Sequence, residues 1–211
     1  MNKFVILLGL CVGWANIAFA ASPAPAGQPE AGESQVAVCS ACHGPDGNSA
    51  APFPKLAGQG EKYLYKQLVD IRDGARPIPT MVGLLDDKSD QDLADMAAFY
   101  AVQNRTGEQT AVDQLELGAR VYRAGIAERN VAACIACHSP IGEGNAPAGY
   151  PALAGQHPQY IADQLRAYRK GYEDPEGRTN DGDLRIMRQT AFGLSDMEIE
   201  AVAGYAAGLR Q

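Results

Sequence analysis

One short stretch occurs twice in this chain and limits what it can fold into. It reads Cys39-Ser40-Ala41-Cys42-His43, and again Cys134-Ile135-Ala136-Cys137-His138. Two cysteines separated by two residues, with histidine directly after the second, is the spacing of a c-type haem attachment site. The thiols add to the two vinyl groups of the porphyrin, and the histidine stands under the iron as its proximal ligand. The chain is therefore expected to wrap two covalently bound haem c groups. A zinc reading of the paired cysteines leaves unexplained both the following histidines and the matched methionines described below.

The first twenty residues have a different character. Asn2 and Lys3 form a short basic start, Phe4 to Phe19 carries no charge, and Ala18-Phe19-Ala20 is a small-x-small cleavage site. Residues 1–20 read as a signal peptide removed after Ala20, which places the mature chain in the periplasm. Sixteen residues interrupted by Gly13 and Asn16 are short for a transmembrane span. Cys11 leaves with this segment, so the four remaining cysteines all lie in the two motifs and none is left for a disulfide. Free thiols at this spacing are at risk of pairing in an oxidising compartment, and haem attachment consumes them. Without Lys3 the chain carries 17 basic and 25 acidic side chains, a net of −8. The charge divides evenly, −4 over residues 21–105 and −4 over 106–211. An even acidic surface argues against nucleic acid as a partner.

The motifs belong to a longer repeat. Residues 21–29 read as a flexible leader, and the first motif closes a short helical segment from Glu33 to Cys42. Phe53-Pro54-Lys55-Leu56-Ala57-Gly58-Gln59 returns as Tyr150-Pro151-Ala152-Leu153-Ala154-Gly155-Gln156, an offset of 97. Tyr63, Leu64, Gln67, Leu68, Arg72 and Gly74 return at the same offset as Tyr160, Ile161, Gln164, Leu165, Arg169 and Gly171, and their spacing of three and four predicts one amphipathic helix in each half. Further on, Ser89-Asp90-Gln91-Asp92-Leu93 matches Ser195-Asp196-Met197-Glu198-Ile199 at an offset of 106. Serine with an acid three residues later is a capping box, so a last helix starts at each place. The second half gains most of its extra length in a charged loop, residues 173–183. Two copies of one domain, 21–104 and 105–211, joined through a polar linker near 101–116, is the economical organisation.

Each proximal histidine leaves one axial position on its iron, and whether that position is filled separates electron transfer from oxygen or peroxide chemistry. After removal of the leader four methionines remain. Met81 and Met187 occupy equivalent positions at the offset of 106, each on an irregular stretch before a capped helix. Met96 falls on the apolar stripe of the last helix, and Met197 in an exposed first turn. Met81 and Met187 are therefore the expected sixth ligands. Prolines 77 and 79 bar a regular helix before Met81 and make a stiff strap of that segment. His157 has no histidine in the other copy and is read as a surface residue.

At these residues the chain resembles the diheme cytochrome c4 family, exported electron carriers built of two tandem class I cytochrome c domains. The resemblance runs over about residues 27–210. It rests on the two Cys-x-x-Cys-His motifs, His43-Gly44-Pro45-Asp46-Gly47-Asn48, the two Leu-Ala-Gly-Gln segments, and the placement of Met81 and Met187. It implies an all-α fold in which the first and last helices of each domain cross. It also implies that the carbonyls of Pro54 and Pro151 accept the ring N–H of His43 and His138. Such a bond fixes the imidazole and raises its basicity toward iron.

The family pattern is not followed everywhere. The only tryptophan, Trp14, lies in the signal segment, so Arg72, Arg169, Tyr63 and Tyr160 are candidate partners for the haem propionates. Ser139-Pro140-Ile141-Gly142 replaces Gly44-Pro45-Asp46-Gly47 in the second copy. The function implied is electron transfer in a respiratory chain, toward a membrane cytochrome complex and a terminal oxidase, with room for peripheral membrane association. The alternatives are a diheme subunit serving a periplasmic dehydrogenase, as in sulfur oxidation, and a diheme cytochrome peroxidase. The peroxidase needs an open sixth site on one haem and is disfavoured by the symmetric methionines.

Overall fold

The computed structural model describes residues 24–50, 52–108 and 114–209. The signal segment and its cleavage site lie outside these residues. The described chain is helical, and its only strand-like pairings are two isolated bridges, Ile126 with Val131 and Asn145 with Tyr150. Among the described residues no helix is long and apolar enough to cross a membrane.

The first half contains α1 (Pro29–Glu33), α2 (Ser40–His43), α3 (Glu61–Arg72) and α4 (Asp90–Ala101). The second contains α5 (Leu115–Ala124), α6 (Ile135–His138), α7 (Pro158–Lys170), α8 (Ile186–Phe192) and α9 (Asp196–Ala207). Each half has its own core. Val36, Leu64, Leu85, Leu93 and Met96 build the first, and Val121, Tyr122, Ile161, Ile199 and Val202 the second. Both capping boxes are present: Ser89 and Ser195 accept from the backbone N–H of Asp92 and Glu198, whose carboxylates reach back to the cap amide. These bonds satisfy amides that the start of a helix otherwise leaves unpaired.

The first and last helices of each half cross at a glycine. A β-carbon on Gly32 would lie 2.1 Å from the Asp95 carbonyl oxygen, and one on Gly118 would lie 2.2 Å from that of Ala201. Only a residue without a side chain lets the two backbones approach so closely. The segment from Glu33 to Cys42 is not one helix. α1 ends at Glu33, turns follow, and the chain becomes helical again only at Ser40.

The halves are joined by the Leu-Ala-Gly-Gln segments. Gln59 donates from Nε2 to the Ala152 carbonyl (2.8 Å) and accepts from the Ala152 amide (2.9 Å). Gln156 does the same to Lys55, at 2.9 Å for both bonds. Lys55 and Ala152 are themselves equivalent at the offset of 97, so the two clasps are related by the pseudo-symmetry of the repeat. The linker is part of the seam: Arg105 donates to the carbonyls of Ala57, Gly58 and Ala154.

His157 is not a surface residue. It is 7% exposed, with Nε2 2.9 Å from the Ser49 carbonyl and Nδ1 3.1 Å from Glu108, which also pairs with Lys55 at 2.6 Å. Its equivalent, Gly60, faces Ala146 across the same seam. Both positions are enclosed by the opposite half, a contact that the local pattern around either residue does not contain.

Candidate functional site

The two Cys-x-x-Cys-His motifs each form a single helical turn, α2 and α6. Cys39 and Cys134 sit at the helix start with right-handed backbone, and the chain leaves the turn at Gly44 (φ 77°) and Ser139 (φ 70°). One turn places both cysteines and the histidine on one side of the backbone. Cys42 is exposed, while Cys39, Cys134 and Cys137 are half-buried. Burial pushes the Cys39 thiol up and the Cys134 thiol up to about 11.

His43 and His138 are buried, and each Nδ1 lies 2.9 Å from a proline carbonyl, Pro54 and Pro151 respectively. A carbonyl only accepts, so each Nδ1 carries the hydrogen and each Nε2 keeps its lone pair. Burial lowers both imidazoles below the ordinary histidine range, and the proline bond partly offsets it. Both rings are therefore neutral near pH 7, the form that binds a metal. Phe53 and Tyr150, equivalent in the repeat, flank the two rings at 6.2 and 6.4 Å between centroids.

Met81 closes a short 3-10 turn, Pro79–Met81, that begins with the second proline of the strap. Met187 is placed differently from the irregular stretch that the pattern around Met81 predicts: it sits in the first turn of α8. The helix starts after Arg185, whose φ of 49° turns the chain sharply into it. Met96 is 2% exposed in the core and Met197 is 60% exposed, as their places on the last helices predict.

All ten of these residues (four cysteines, two histidines, two prolines, Met81 and Met187) line one continuous cavity of about 1110 Å³ that extends through both halves. Leu64, Leu68 and Ile71 enclose its first part, and Ile161, Leu165 and Val202 its second. Tyr100 also lines it, and its buried hydroxyl has no hydrogen-bond partner. A deep apolar slot with a metal-ready nitrogen, a thioether and two thiols in each half fits a covalently held haem. A zinc cage is not built: among the described residues no three His, Cys, Asp or Glu side chains converge.

Arg72 and Arg169 do not reach this cavity. Arg72 pairs with Asp73 and Asp90 at 2.8 Å, and Arg169 with Asp196 at 2.5 Å. Tyr63 and Tyr160 do line it. Beside them stand two arginines that the repeat did not single out. Arg76 and Arg178 are 8% and 9% exposed. Their amides donate to equivalent carbonyls, Asp70 and Ala167, each at 2.8 Å. They are therefore structural counterparts at an offset of 102, a value between the 97 and 106 that the motifs on either side display. Segment 173–183 is thus not a free charged loop: Gly171 and Gly177 pack with no room for a β-carbon on either, and this delivers Arg178 to the seam.

The cytochrome c family model matches residues 29–101 and again 115–209. The chain is 49% identical to cytochrome c4 of Azotobacter vinelandii, over 99% of this chain and 100% of that one. It is 40% identical to a thiosulfate dehydrogenase electron acceptor of Stutzerimonas stutzeri, over 82% and 80%. Its structure superposes on reduced recombinant cytochrome c4 from Pseudomonas stutzeri with a TM-score of 0.83 at 47% identity, covering 88% of this chain and 100% of that one. The tandem helical halves, the doubled attachment motif and these likenesses agree, and the chain belongs to the diheme cytochrome c4 family, electron carriers with two covalently bound haem c groups.

Proposed function

We propose that both irons are closed by a histidine and a methionine, His43 with Met81 and His138 with Met187. Cys39 and Cys42 hold the first haem through thioethers, and Cys134 and Cys137 the second. The observation that carries this is the shared cavity, which presents one Nε2 lone pair and one thioether from each half. When bound, haem supplies reversible one-electron chemistry at iron. The protein's part is to hold the ligands still. The Pro54 and Pro151 carbonyls orient the imidazoles and raise their basicity. The proline strap and α8 set the two thioethers, and the leucine and isoleucine side chains exclude water.

The chain is exported to the periplasm with cleavage after Ala20, and residues 21–104 and 105–211 form its two domains. It passes electrons between redox proteins late in a respiratory chain, from a membrane cytochrome complex toward a terminal oxidase. Methionine as sixth ligand favours reduced iron and suits this position. A second reading has support in the 40% identity to a thiosulfate dehydrogenase electron acceptor: the same two centres would accept electrons from a periplasmic sulfur-oxidising dehydrogenase.

A redox titration of the purified protein followed by visible absorbance tests the ligand set. Two one-electron steps are expected, with low-spin ferric spectra and the band of sulfur-to-iron ligation at full strength. A high-spin component at rest overturns it. Reduction by a thiosulfate-oxidising dehydrogenase, compared with reduction by a membrane cytochrome complex, separates the two readings of partner.

A further inference from the structure

Among the described residues every Phe and Tyr side chain but two is buried or half-buried, and the two exposed ones lie against each other. Tyr172 is 42% exposed and Phe192 45%. Their rings stack with centroids 4.1 Å apart and planes inclined at 22°. Tyr172 directly follows Gly171, the cap of α7, and Phe192 closes α8, so the pair bridges the ends of two helices that pack together. Single apolar side chains on a surface are ordinary, whereas adjoining ones mark sites of interaction. Leaving two large rings partly in water forgoes the stabilisation that burial would bring.

The patch belongs to the second half alone. At the offset of 97 Tyr172 corresponds to Ala75, and at the offset of 106 Phe192 corresponds to Asp86. Beside its own methionine the first half exposes aliphatic side chains instead, Val82 and Leu84. Carboxylates border the aromatic pair: Glu173, Asp174 and Glu176 follow Tyr172 in the segment that the first half lacks. One ammonium, Lys170, answers two of them, Asp174 at 3.4 Å and Glu176 at 3.2 Å. The rim is therefore net negative, on a chain that is acidic in both halves.

A rigid aromatic centre within a charged rim has the anatomy of a protein–protein contact. Rings with few rotatable bonds lose little entropy when a partner covers them. The sign of the rim selects the occupant. A second copy of this chain would set carboxylates against carboxylates, and an anionic lipid surface is repelled in the same way. A protein face rich in lysine and arginine is attracted, and its cations can also lie on the exposed ring faces. Phe192 stands at one end of α8 and Met187 at the other, with Met187, Thr190 and Leu194 lining the cavity. A partner seated on the pair therefore rests on the helix that borders the second haem pocket.

We propose that Tyr172 and Phe192, rimmed by Glu173, Asp174 and Glu176, form the docking surface for a basic redox protein that exchanges one electron with the second haem. This rests on the reading that the chain passes electrons between redox proteins, and it holds whichever residues supply the sixth ligands.

The test uses the ferric holoprotein and, as probe, a basic mitochondrial cytochrome c carrying zinc in place of iron. The photo-excited zinc porphyrin gives one electron to a ferric haem, which leaves a porphyrin cation radical and a ferrous haem, and the electron then returns. Triplet quenching by the wild type should fall steeply as salt rises. Tyr172→Ser and Phe192→Ser should each lower the quenching constant about tenfold. Tyr172→Phe, Phe192→Tyr and, in the first half, Val82→Ser should stay near wild type. Glu173→Gln combined with Glu176→Gln should slow quenching at low salt and match wild type at high salt. Acetylating the lysines of the probe should remove the salt dependence.

The proposal is overturned by serine variants that quench like wild type, by a Val82→Ser loss as large as theirs, or by an acetylated probe as fast as the native one. Amide shifts of the reduced wild type on adding the probe decide even if a serine variant folds poorly. They should cluster at residues 170–176 and 189–193, and a cluster at 80–86 refutes the site. Self-association, or binding to phosphatidylglycerol vesicles, that Phe192→Ser abolishes would assign the patch to a second copy or to a membrane, and either overturns the proposal. A wild type that quenches while the pair variants change nothing refutes this surface and leaves the carrier reading standing; a wild type that does not quench counts against both.

Discussion

Gly44 ends the Cys-x-x-Cys-His turn of the first half, and Ser139 stands at the same place in the second with nearly the same backbone, φ 70° and ψ 160°. That conformation is open to glycine and strained for serine, at about 1–3 kcal/mol. The second half holds it by hydrogen bonds. The Tyr122 hydroxyl donates to the Ser139 carbonyl at 2.7 Å, and the Ser139 hydroxyl accepts from the Glu143 amide at 3.0 Å. The first half has Val36 where the second has Tyr122, at the offset of 86 that relates Gly32 to Gly118. Its own pocket tyrosine, Tyr100, enters from the last helix and has an unpaired hydroxyl. The two copies therefore keep the same imidazole-to-proline bond, at 2.9 Å in each, while the supporting residues have been redistributed between first and last helix. What is held constant is the single helical turn that carries the thiols and the imidazole. How a half secures that position is free to vary.

The ligand pair gives the largest test of this equivalence. Met81→Ala and Met187→Ala should each remove half of the sulfur-to-iron absorption and leave the other half intact. Loss of the whole band in either variant would show that the two centres are not independent, and loss of none would refute the pairing.

The turn ends give the next. Gly44→Ser should cost about 1–3 kcal/mol, because no tyrosine hydroxyl waits at the Val36 position, whereas Ser139→Gly should cost less or gain stability. Denaturant unfolding of the two variants measures the difference, and equal effects would show that the two turns are secured alike.

A smaller effect separates the tyrosines. Tyr122→Phe should lose about 0.5–1.5 kcal/mol with its hydrogen bond to the Ser139 carbonyl, while Tyr100→Phe, which gives up no bond to a backbone carbonyl, should lose less. The melting temperatures of the two holoproteins should rank accordingly.

The smallest effect is visible only in acid. The Arg129 guanidinium, with the bonds to Ser195, holds the Glu198 carboxyl down to about 2 from an ordinary 4.5. Asp92 is lowered too, chiefly by Ser89. A depressed carboxyl stabilises the fold fully above its unfolded pKa and loses that contribution as pH falls toward the folded value. Glu198→Gln should therefore lower stability at neutral pH and remove part of the acid-limb slope between about pH 4.5 and 2. Asp92→Asn should do less, having no arginine partner. Melting curves taken through that range check the order.

Much of this protein was legible in its sequence because the decisive signals are local and occur twice. The cysteine and histidine spacing needs one helical turn, the serine-to-acid spacing needs one capping box, and the repetition picked Met81 and Met187 from four methionines. The local pattern misses contacts that residues distant in the chain decide. Nothing within its own helix covers His157; Ser49 and Glu108 do. Arg72 and Arg169 were candidates for the propionates because they repeat at the offset of 97, but their helices direct them to Asp90 and Asp196. The equivalence of Arg76 and Arg178 is hidden in the sequence because the extra residues of segment 173–183 fall on both sides of Arg178.

By itself, the sequence determined two haem attachments, a helical tandem repeat and a matched set of candidate axial ligands, since each depends on spacing along a single turn or on the repeat. Only the tertiary structure decided how the halves meet. The glutamine clasps of Gln59 and Gln156, the buried His157 and the unpaired guanidiniums of Arg76 and Arg178 all depend on groups far apart in the chain. Their energies come from desolvation at a seam that no local pattern encodes.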